Sequence, residues 1–115
     1  MKLRIAEAIA AHMAWVDSLN QALEKRETPD ELHLAGYDDM CTFGKWLYSL
    51  DDAVKITPPY RRVKDLHYRF HQEAAHLVEQ ALNGDFTAAR LLAYGEFGKT
   101  SEELIKTMEA WQAGL

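Results

Sequence analysis

Only one of the 115 residues is a cysteine, no stretch stays apolar for long, and basic side chains are outnumbered by acidic ones. Each shortage excludes something. The lone cysteine, Cys41, forms no intramolecular disulfide, so nothing in the chain calls for an oxidising compartment. No run approaches the roughly 18 apolar residues that a bilayer span requires, so a membrane is not an expected partner. Thirteen Lys and Arg against eighteen Asp and Glu leave a formal charge of −5, which removes the long-range attraction that nucleic acid needs. The single basic cluster, Arg61, Arg62 and Lys64, reads as the solvated face of a helix. The opening Met1-Lys2-Leu3-Arg4 imitates a signal peptide, but Glu7 and His12 interrupt the apolar stretch behind it. It reads as mature helix, and the protein as cytoplasmic. Strand-like alternation, low-complexity segments and internal repeats are absent as well.

What is present is helix. A hydrophobic share of 48% is enough for one core, and residues 1–115 are expected to form one domain. Ile5, Ala8, Ile9, Trp15, Val16, Leu19 and Leu23 recur at spacings of three and four, which predicts a first helix from about Leu3 to Lys25. Thr28-Pro29-Asp30 ends it, because proline lacks a backbone donor and pushes the preceding residue out of helical geometry. A loop of about a dozen residues with His33 and Gly36 follows, long enough to suggest a functional role.

A short helix is expected around Asp39 to Leu50, capped by Asp38 or Asp39 and closed by Asp51-Asp52. Thr57-Pro58 is a start signal for a third helix reaching Asn83, with Gly84 as its left-handed terminator. Asp85 caps a fourth that runs to about Gln112. Gly95 and Gly98 interrupt this last segment, and Thr100-x-x-Glu103 has the form of a capping box that would restart it. One continuous helix, with the glycines allowing close backbone approach, is the favoured reading. The expectation is an all-α, antiparallel four-helix bundle of three long helices and one short helix carrying the cysteine.

The histidines separate by helical face, at about 100° per residue. His12 lies at the centre of the stripe formed by Ile5, Ala8, Val16, Leu19 and Leu23. His67 lies in the middle of Tyr60, Val63, Phe70, Ala74, Leu77, Val78 and Ala81, with His71 beside it. All three should face the core, whereas His76 should face solvent. Burying imidazoles without partners costs about 1 to 3 kcal/mol each, and one shared metal ion would satisfy all three. A satisfied core histidine is the plainer reading of any one of them. The four-residue spacing of His67 and His71 lets two imidazoles converge on one cation, and three imidazoles with one thiolate make a tetrahedral zinc set.

Cys41 is either an inert buried side chain, a reactive thiol or a ligand. The first turn of a helix favours its thiolate form. Counted as regular helix, however, it lies opposite Phe43, Leu47 and Leu50, so either both faces are buried or Cys41 sits where the helix is only beginning. Gly44, one turn on, leaves space beside the sulfur. Trp15, Trp46 and Trp111 read as core, the first two also as a shield for a metal.

Ala11-His12-Met13-Ala14-Trp15, Cys41-Thr42-Phe43-Gly44-Lys45-Trp46-Leu47 and His67-Tyr68-Arg69-Phe70-His71 together resemble the signature segments of the chemoreceptor zinc-binding domain family, across almost the whole chain. Cys-x-Phe-Gly-Lys-Trp is the most specific of them. The resemblance implies zinc as cofactor, with His12, Cys41, His67 and His71 as its ligands. It also implies a four-helix bundle that is commonly a homodimer and regulates chemoreceptors or diguanylate cyclases. No effector segment is present in the sequence, so the output is expected in trans.

Three functions follow in order. The first is a zinc-responsive regulatory module and not an enzyme, because four protein ligands leave no open position for substrate. The second is an oxidant sensor in which oxidation of the zinc-bound Cys41 thiolate loosens the metal. The third, a di-iron oxidase, needs two Glu-x-x-His motifs on inward faces, and only the outward Glu73-x-x-His76 is present.

Overall fold

The computed structural model describes residues 2–27 and 42–115, and all regular structure among them is helical. The elements are α1 (Lys2–Glu24), α2 (Thr42–Tyr48), α3 (Asp52–Lys55), α4 (Pro58–Leu82), α5 (Phe86–Tyr94) and α6 (Glu96–Ala113). The long loop with His33 and Gly36, the Asp38 or Asp39 cap and Cys41 lie outside the described residues. Asp51-Asp52 does not simply close the short helix. Asp51 instead opens the single turn α3, with its carbonyl accepting from the Val54 and Lys55 amides.

The helices pack as three long rods, α1, α4 and the α5–α6 pair, with α5 and α6 lying against both of the others. Contacts fix the directions. His12 meets Ser101 and Glu24 meets Tyr94, so α1 runs antiparallel to the last rod. Tyr60 packs on Trp111 and Phe70 on Phe97, so α4 is antiparallel to it as well. The short α2 adds Leu47 to the core and packs Trp46 at a tilt against Trp111. The described residues span 45 × 21 × 19 Å.

The apolar stripes explain this arrangement. On α4, Tyr60, Val63, Leu66, Phe70, Ala74, Leu77, Val78 and Ala81 are all buried. They meet Leu19 and Leu23 of α1 and Phe97, Leu104 and Met108 of α6 in one core. Each Val, Leu, Phe or Met side chain among them contributes about 1.5 to 3 kcal/mol when taken from water, before the entropy of ordering is set against it.

Two helix ends carry the same device. After α4, Gly84 has φ +84°, its amide reaches the Ala81 carbonyl and the Asp85 amide the Gln80 carbonyl, while Asp85 Oδ1 caps α5 through the Ala88 amide. This pair of bonds satisfies carbonyls that the helix end would leave open. After α1, Arg26 takes the left-handed place at φ +56°, with its amide on Leu23 and that of Glu27 on Ala22. Helix α1 thus stops before Thr28-Pro29, and the left-handed residue there is not a glycine.

The expected continuous fourth helix is corrected. It breaks at Gly95, where φ −94° and ψ −114° lie outside helical geometry. A Cβ at Gly95 would stand 3.0 Å from the Leu91 carbonyl oxygen, a tight contact that the backbone would have to ease by a few tenths of an ångström. The break gives α5 its own rotation: Ala89 and Ala93 turn inward, while Leu91 and Tyr94 are 70% and 63% exposed. The alternative, a capping box at Thr100-x-x-Glu103, does not form either, since Thr100 lies inside α6 and its hydroxyl donates to Glu73 Oε1. Thr57 is the N-cap residue of α4 by backbone, but its hydroxyl donates to the Val54 carbonyl at 2.6 Å and caps no amide.

Candidate metal centre

One turn of α4 presents His67 and His71 to the interior, 2% and 5% exposed. Their placement follows from the stripe: Leu66, His67, Phe70, His71 and Ala74 occupy adjacent inward positions of one helix. The two Nε2 atoms approach to 3.1 Å and the ring planes stand at 76°. Two nitrogens bound to one tetrahedral zinc at about 2.0–2.1 Å stand about 3.4 Å apart. The pair fits a zinc ion in donor type, and the 3.1 Å hydrogen bond that now joins the two nitrogens would have to open by about 0.3 Å to admit one.

His12 approaches from α1. Its ring centroid is 4.3 Å from that of Phe70, which in turn is 5.3 Å from His71, so the Phe70 ring touches both imidazoles. His12 Nε2 lies 2.9 Å from Ser101 Oγ on α6. Among the described residues, no group of three or more His, Cys, Asp or Glu donors gathers closely enough to hold one ion. The structure thus brings His67 and His71 together and directs one nitrogen of His12 to a hydroxyl.

Aromatic rings wall the centre. Phe43, the second residue of α2, meets His67 edge-on at 5.0 Å, so the start of α2 abuts the pair. Trp15 lies 6.4 Å from His71 and 5.5 Å from Phe70. Trp46 is farther out, between Phe43 and Trp111. Gly44 is buried. The fourth expected ligand, Cys41, precedes this helix in sequence and lies outside the described residues.

The electrostatics favour neutral rings. Burial, and then the neighbouring His71, push His12 down to about 4. Burial, then His71 and His12, push His67 down to about 3. Near neutral pH these rings are uncharged, the state in which an imidazole offers a lone pair to a metal.

His76 is exposed, as its face required. Glu73 of the Glu73-x-x-His76 motif, expected to face outward, is instead half-buried against α6, where it accepts from the buried Thr100; with His76 exposed, the two do not make the inward motif that a di-iron site needs. Ser101, buried and bonded to His12, was not legible as a site residue. Its only signal was a hydroxyl placed on the same stripe as Phe97, Leu104 and Met108.

The described residues thus form a bundle of helical rods with two imidazoles of α4 turned to its interior. Residues 12–78 match the family described as the chemoreceptor zinc-binding domain, and the chain belongs to that family. It is a family of zinc-binding sensory domains, and no enzyme activity is attached to it. Neither the curated proteins nor the solved structures give a match. No helix among the described residues is long and apolar enough to cross a membrane.

Proposed function

We propose that this domain holds one zinc ion through His12, Cys41, His67 and His71 and passes its occupancy, as a change in helix packing, to a signalling partner. The observation that carries the reading is the 3.1 Å approach of the two Nε2 atoms of His67 and His71 inside the bundle. Zinc would supply a fixed tetrahedral centre with no redox chemistry of its own. The chain's part is to bring donors from α1, from the entry to α2 and from α4 into a dry, aromatic-walled space. Phe43, the second residue of α2, packs edge-on against His67, which supports a donor from the segment just before it. Trp15 and Phe70 keep the His71 imidazole from solvent.

Loss of the ion separates those three segments energetically, because each then keeps its polar donor without the common partner. That is the switch. Four protein donors leave no position for a substrate, so the domain regulates and does not catalyse. The exposed apolar side chains Leu3 and Met13 of α1, with Leu91 and Tyr94 of α5, suit contact with a second copy in a homodimer. A chemoreceptor or a diguanylate cyclase is the class of partner that would receive the signal.

The test is zinc stoichiometry and affinity in purified protein. One zinc per chain is expected, with tight binding lost in His71→Ala and Cys41→Ala and kept in His76→Ala, whose ring is exposed. Unchanged tight binding in both of the first two variants would overturn the assignment.

A further inference from the structure

Ser101 is 6% exposed on the inward stripe of α6, among Phe97, Leu104 and Met108. It stands beyond the segment matched to the family, which ends at residue 78. A hydroxyl among such neighbours needs a partner, and it has one in His12 Nε2 at 2.9 Å.

The direction of that bond decides the chemistry. A neutral imidazole carries one N–H and one lone pair. Were the Ser101 hydroxyl to donate to Nε2, it would occupy the only lone pair of the ring, and His12 would have nothing to offer a metal. Were Nε2–H to donate to Ser101 Oγ, the lone pair would fall on Nδ1. A serine within a helix has an acceptor for its own proton in a carbonyl of the preceding turn, so its oxygen can accept from outside. Histidines that bind metals commonly give their other N–H to such an outer oxygen, which sets tautomer and ring orientation.

We propose that Ser101 is the positioning residue for His12: it accepts the Nε2–H, holds the ring in that tautomer, and leaves Nδ1 as the nitrogen that meets zinc. The inference rests on the zinc reading above for its second half. It links α6, which supplies no ligand, to the site by one hydrogen bond, so that metal occupancy is felt on the third rod.

The experiment compares the full chain with Ser101→Ala, a change that suits a helix and whose fold is checked by its helical circular dichroism. In metal-free protein, nitrogen-15 NMR should find His12 protonated at Nε2, with a slowly exchanging proton that the variant loses. A His12 protonated at Nδ1 in the unaltered chain would overturn the proposal. In zinc titrations against a chromophoric chelator the variant should bind about 10- to 100-fold more weakly, and His12 of the loaded chain should show coordination at Nδ1. Equal or tighter binding by the variant, or coordination at Nε2, would refute it. Failure of the unaltered chain to bind zinc at all sinks the zinc reading instead, and the tautomer measurement still decides the role of Ser101.

Discussion

An imidazole buried beside two others resists protonation, and this has a consequence for the metal-free protein. His12 at about 4 and His67 at about 3 both lie below the ordinary histidine value of 6.5. The unfolded chain therefore takes up protons at a pH where the folded chain does not, and acid favours unfolding. Their contribution to stability is complete above pH 6.5 and is lost as pH falls from there through about 4 and then 3. Thermal melts of chelator-treated protein should show a midpoint that drops steadily from pH 7 to pH 4.5. A flat profile would mean that the rings are not held away from water. With zinc bound, acid acts additionally by competing for the ligands, so the loaded protein should lose metal over the same descent.

At the scale of the element, two helix ends share one hydrogen-bond pattern but differ in the residue that makes it. Gly84 adopts φ +84° without a side chain, and a Cβ there would meet nothing within 4 Å. Gly84→Ala should thus destabilise by backbone strain alone, by about 1 kcal/mol. Arg26 already carries that strain at φ +56°, and its side chain is exposed. Arg26→Gly should relieve it and stabilise by up to about 1 kcal/mol. Denaturant midpoints of the two variants should move in opposite directions. The end of α4 was legible because glycine and aspartate are the residues that such a turn selects. The end of α1 at Glu24 lies within a residue of the expected Lys25, but its left-handed turn at Arg26 had no signal in the sequence, since nothing about an arginine announces that conformation. Gly95 was visible as an interruption. Whether it would bend the helix or break it depended on what Ala89 and Ala93 of α5 had to pack against.

Across the whole molecule, zinc is expected to act as a tie between rods. A ligand present at about 100 times its Kd stabilises the folded state by about 2.7 kcal/mol, and about 4 °C per kcal/mol converts this to a rise of about 10 °C in Tm. Zinc-loaded and chelator-treated protein should differ by that order in calorimetry. Equal midpoints would show that the metal does not bridge the packed elements. If the domain is a homodimer, sedimentation should give twice the 13.2 kDa chain mass, and Met13→Lys, on the exposed face of α1, should lower it. A monomer at all concentrations would remove the dimer from the proposal.

Periodicity alone determined most of the architecture, because a helix repeats its buried face every three to four residues whatever it packs against. The all-helical class, the inward faces of His67 and His71 and the outward face of His76 follow from that rule. So does the termination of α4 at Gly84, by local backbone sterics. Tertiary structure alone decided which faces meet. That His67 and His71 bring their Nε2 atoms to 3.1 Å depends on side-chain rotation, which spacing does not specify. That His12 finds Ser101, 89 residues away in sequence, depends on α1 and α6 running antiparallel at one register. Helical period fixes a side chain's direction from its own axis, and only the packing of a second axis tells it what it touches.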